Sequence, residues 1–85
     1  MTYTLTYNAN GGSGAPAAQT AKSSTGSATF TISTSVPTWE DHTFLGWADS
    51  ADAAAAAYHG GGTITVSADK TIYAVWKQNH HHNDT

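Results

Sequence analysis

Few residues in this chain of 85 can do chemistry, and their spacing says what kind. The closest acids are Glu40 with Asp41, then Asp49 with Asp52. Glycoside cleavage by a carboxyl pair needs both groups facing a cleft and one of them desolvated. Glu40-Asp41 reads instead as a solvated turn, and Asp49 and Asp52 fit the start of a helix. His42 and His59 have no i, i+4 partner and no carboxylate at ligand spacing, so no metal site is expected. His59 falls where a cation would complement a helix C-terminus. No serine lies in a G-x-S-x-G elbow. The run Asn10-Gly11-Gly12-Ser13-Gly14 lacks the lysine and the following helix of a phosphate loop, and is read as a turn. That leaves the rings. Trp39 follows Pro37 in a loop beside Glu40, Asp41 and His42, so it is the indole expected at the surface, suited to stacking on a sugar or to protein contact. Trp39, Glu40 and His42 are the candidate ligand-binding residues; catalytic residues, metal and cofactor are expected to be none.

Composition narrows the class further. Three lysines and no arginine face six acids, for a net charge of −3 and 11% charged residues, where about 25% is usual. Nucleic-acid binding draws on many cations against phosphate, so that partner is excluded. Cysteine is absent, which removes disulfides and thiolate chemistry and leaves the compartment open. No apolar run approaches the ~20 residues that span a bilayer, and membrane insertion is not expected. Met1-Thr2 leads straight into a strand pattern with no signal peptide before it, so the piece reads as excised from something longer. Residues 1–78 are expected to form one domain. The tail 79–85, with His80-His81-His82, reads as a disordered purification remnant.

The elements that must position these residues are mostly strands. Thr71 to Lys77 alternates Ile72, Ala74 and Trp76 with Tyr73 and Val75, apolar on both faces, which predicts a central strand. Thr2 to Tyr7 sets Tyr3, Leu5 and Tyr7 against three threonines, a half-buried strand. Ala18 to Lys22 is a weaker extended segment. Ala28 to Ser33, Thr43 to Ala48 and Thr63 to Ser67 complete the set, the last forming a hairpin with Thr71 to Lys77 through the turn at Ala68-Asp69-Lys70. Within Thr43 to Ala48, Gly46 predicts a bulge or the close approach of a backbone or a large ring, supplied by Trp47 or Trp76. Asp49 to Asp52, five alanines, Tyr58, His59 and Gly60 predict one short helix, about Ser50 to Tyr58. Trp47 and Trp76 are expected in the core, because so few Leu, Ile and Val are available to fill it.

In this order the chain resembles a single repeat of the internalin B-repeat group, also called the Listeria/Bacteroides repeat. The resemblance rests on Tyr3 to Tyr7 with Asn8-Ala9-Asn10-Gly11-Gly12, Pro16, Gln19-Thr20, Val36-Pro37, Thr43-Phe44-Leu45-Gly46-Trp47, Tyr58, Ile64-Thr65-Val66, Ala68-Asp69 and Ile72-Tyr73-Ala74-Val75-Trp76. The chain departs from it at Trp39-Glu40-Asp41-His42, at the alanine run and at Gly60-Gly61-Gly62. The resemblance implies an α+β, strand-dominated β-grasp (ubiquitin-like) domain with one mixed sheet and one short helix, its first and last strands parallel. It also implies a non-catalytic repeat module of a secreted or cell-wall-attached bacterial protein, extracellular, acting as spacer and protein-interaction domain. Expected partners are neighbouring repeats and a host or cell-surface protein or glycan, the isolated domain being a monomer. A carbohydrate-binding module using Trp39 is the alternative.

Overall fold

Alternating Thr and large apolar residues build six strands in the computed structural model, which describes residues 1–79. They are β1 (Thr2–Asn8), β2 (Gln19–Lys22), β3 (Ala28–Thr31), β4 (His42–Ala48), β5 (Thr63–Val66) and β6 (Lys70–Gln78). Four of them form a mixed sheet in the order β2-β1-β6-β4, and β3 with β5 forms a second, two-stranded sheet. In the first sheet β6 runs parallel to β1, from Leu5 opposite Lys70 to Asn8 opposite Tyr73, and antiparallel to β4. The doubly apolar strand is therefore an inner one. One core joins the sheets: Tyr3, Leu5, Tyr7, Trp47, Ile72 and Ala74 come from the first, and Ala28, Phe30, Ile64 and Val66 from the second. Ile32 closes the core beyond β3, its N–H donating to Gly62 O and its carbonyl accepting from Gly61 N–H, both at 2.8 Å. On the far side of the small sheet Thr29 and Thr65 face each other across the ladder, hydroxyl to hydroxyl at 2.9 Å.

Phe44 and Trp47 are three residues apart, so a regular strand would point them to opposite faces. A bulge at Leu45 prevents this. Pairing slips between Phe44, opposite Trp76, and Gly46, opposite Val75, so that Trp47 then meets Ala74 and both rings face the core. Gly46 has φ +153, and a Cβ there would lie 2.5 Å from Ala56 Cβ and 2.6 Å from Tyr58 O. Both the bulge and the close approach of a backbone expected at Gly46 are present; of the alternatives, it is the returning Tyr58 carbonyl with the Ala56 side chain that comes near, and neither Trp47 nor Trp76.

No helix forms among the described residues, so the α+β, β-grasp expectation with a helix over Ser50 to Tyr58 is overturned. Tyr58 returns to pair with Trp47: Trp47 N–H donates to Tyr58 O, and both Ala57 and Tyr58 N–H donate to Trp47 O, each at 2.8 Å. A helix of nine residues would be about 13 Å long, whereas a paired Trp47 and Tyr58 lie within about 5.5 Å, Cα to Cα. The segment must double back. It does so through turns, with Ala53 N–H donating to Ser50 O at 3.2 Å, and alanine propensity cannot nucleate so short a helix against that closure. With no helix, the capping roles assigned to Asp49, Asp52 and His59 fall away. The hairpin of β5 with β6 is also corrected. β5 pairs with β3, and Asp69 in the turn before β6 accepts the Thr4 N–H at 3.0 Å, which swings the last strand across to β1.

Candidate functional site

The three predicted site residues lie together in the turn leading into β4. Trp39 O accepts the His42 N–H at 3.1 Å, and Asp41 takes φ +61 to close the turn. His42 Nδ1 lies 2.8 Å from Glu40 O; a carbonyl can only accept, so the imidazole proton sits on Nδ1. This bond and the turn lay the imidazole flat on Trp39, with ring centroids 3.6 Å apart and planes 5° from parallel. Glu40 is exposed, and its carboxylate meets no partner among the described residues.

The glycine-rich loop supplies the rest of the cluster. Asn10 takes φ +50, and its Nδ2 donates to Ala74 O at 3.0 Å and to Ala51 O at 3.1 Å. Trp76 Nε1 donates to Ala9 O at 2.8 Å. A Cβ on Gly11 would come within 2.8 Å of the Trp39 ring, and one on Gly12 within 2.5 Å of the Trp76 ring. The two glycines are therefore the seat on which two indoles rest. Ser13 and Thr38 bridge the two loops by reciprocal 2.8 Å bonds, and Pro37 beside them is fully buried.

From the surface inward the rings form a continuous chain. Trp39 meets Trp76 edge-on at 5.6 Å, Trp76 meets Phe44 at 5.6 Å, Phe44 meets Trp47 at 5.1 Å, and Trp47 meets Tyr7 at 5.0 Å. Trp47 is wholly buried; Trp76, expected inside, is only half-buried because it caps the end of the core under Trp39. Trp39 is 37% exposed. A shallow depression of about 290 Å³ opens between Trp39, His42, Trp76, Asn10 and Ala51, near the lower limit for a small-molecule site. Ala53, Ala74, Val75 and Gln78 complete its walls, and Glu40 is not among the residues that line it. Such a surface sets ring edges beside the polar side chains of Asn10, His42 and Gln78, which suits a small planar group with polar edges.

At the start of β6, reasoning from the sequence missed a polar trio. Lys70 Nζ lies 2.7 Å from Asp49 Oδ1, and the Tyr58 hydroxyl donates to the same carboxylate at 3.0 and 3.1 Å. The lysine holds the Asp49 carboxyl below its ordinary value, Asp49 holds Lys70 above its own, and partial burial with the nearby carboxylate raises Tyr58. The trio ties the segment after β4 to the start of β6. Nothing in the spacing of residues 49, 58 and 70 announced it, because the expected helix assigned Asp49 elsewhere. No group of three or more metal-binding side chains occurs among the described residues.

The pattern of the Listeria-Bacteroides repeat domain matches residues 3–75, and the chain belongs to that family. Domains of this family occur as repeats in bacterial surface or secreted proteins. No curated protein and no solved structure matches the chain.

Proposed function

We propose that this domain is a non-catalytic spacer and protein-interaction module in a secreted or wall-attached bacterial surface protein, of the internalin B-repeat kind. The observation that supports it is the parallel pairing of β1 with β6. Leu5 sits opposite Lys70, so Thr2 lies three residues before that pair and Gln78 eight residues beyond it. At about 3.3 Å per residue the chain comes in and leaves at points roughly 36 Å apart, at opposite ends of the sheet. Copies joined end to end would then lengthen an array instead of folding it back. Small-angle scattering from one, two and four linked copies tests this: the maximum dimension should grow by roughly 35 to 40 Å per added copy. Arrays that grow by much less would remove the spacer reading.

A glycan-binding module is the second reading, favoured by the partial exposure of Trp39 over the depression beside it. A sugar platform needs an open aromatic face. His42 already covers one face of Trp39, and Gly11 crowds its six-membered ring. Titration with a glycan panel is expected to leave the Trp39 indole N–H resonance in place; a saturable shift lost in Trp39→Ala would favour the sugar reading.

A further inference from the structure

We propose that the β1–β6 seam is a shear clamp that resists tension applied along the chain. Tension between the two ends of the domain enters β1 at Thr2 and β6 at Gln78, at opposite ends of one parallel ladder. The strands are then drawn past each other, and the ladder bonds share the load and must fail together. Tension applied at a single end of the ladder would instead break them one at a time. β2 and β4 flank the seam on either side, so it lies inside the sheet and not at an edge.

Side chains extend the seam beyond the ladder at both points where force enters. At the Thr2 end, Asp69 Oδ1 accepts the Thr4 N–H at 3.0 Å. At the Gln78 end, Asn10 Nδ2 donates to Ala74 O at 3.0 Å and Trp76 Nε1 donates to Ala9 O at 2.8 Å, past the last pair Asn8–Tyr73. These bonds cross from the first strand or its loop to the last strand or its turn. They close the ladder where fraying under load would begin.

A role under tension rests on the tandem reading above, whereas the resistance is a property of the single domain and is measured separately. The chain lacks cysteine, so thiol handles attach only where they are introduced. In single-molecule pulling, handles at the two termini should give a several-fold higher unfolding force than handles at the N-terminus and A68C, which load one end of the seam. Asn10→Gly keeps the positive φ and loses the side-chain bonds. Trp76→Phe keeps a ring and loses the N–H. Each should speed end-to-end rupture about 2- to 10-fold, and leave rupture from the Ala68 end unchanged because that end opens first. Equal forces in the two geometries, or equal acceleration by both variants in both, would overturn the clamp. Arrays that scatter as compact while single domains keep the force difference would remove the spacer and leave the clamp.

Discussion

Trp47→Ala would empty the centre of the core, where the indole meets Tyr7 and Phe44 and has no exposed surface. The expected loss is about 3 to 5 kcal/mol, close to the whole stability of so small a domain. Trp39→Ala should cost clearly less, and Trp76→Ala should fall between them, since the Ala9 carbonyl loses the indole N–H but keeps the Gly12 N–H at 3.1 Å; urea denaturation of the three gives the order. A Trp39 variant less stable than the Trp47 variant would contradict this core. Gly46→Ala places a Cβ into Ala56 and the Tyr58 carbonyl at a backbone angle L-residues avoid, and should cost about 1 to 3 kcal/mol in the same assay. At this scale the partial exposure of Trp39 could be read from its place after Pro37. Its packing could not: the stacking depends on the four-residue turn from Trp39 to His42, and the seat at Gly11 and Gly12 lies on a remote loop that no local periodicity connects to Trp39.

Strands were legible because a period of two is written directly in residues such as Tyr3, Leu5 and Tyr7. The helix was misread because alanine reports propensity without naming a face, and Ala53 to Ala57 has no large apolar residue to dock. The pairing of β5 failed for another reason: neighbours in sequence usually pair, but Asp69 fastens the turn to β1. Ala55→Gly tests the corrected segment. In a helix it would lose about 1 kcal/mol, whereas in this exposed loop the change should stay within about 0.5 kcal/mol by denaturation. The polar trio at the start of β6 gives a pH signature. Asp49 is lowered from 3.8 by Lys70, so its contribution is present above that value and is lost as pH falls through it. Lys70 and Tyr58 are raised from 10.5 and 10.0, so theirs is present below those values and is lost as pH rises past them. Relative to the native chain, Asp49→Asn should flatten both limbs of a plot of melting temperature against pH.

The mixed sheet places the last strand between the first and the fourth, so β1 and β4 have no direct ladder with each other. A chain ending at Asp69 lacks the element that joins them and should show a collapsed spread of amide resonances, while the chain through Gln78 is folded. A dispersed spectrum from residues 1–69 would mean that the small sheet suffices alone. For a protein made on a ribosome the consequence concerns timing. Synthesis runs from the N-terminus, and until β6 emerges the nascent chain can assemble only fragments too small to be stable. The domain is therefore held back from folding early, and the nascent polypeptide stays open enough to thread a narrow channel until its last strand has been made.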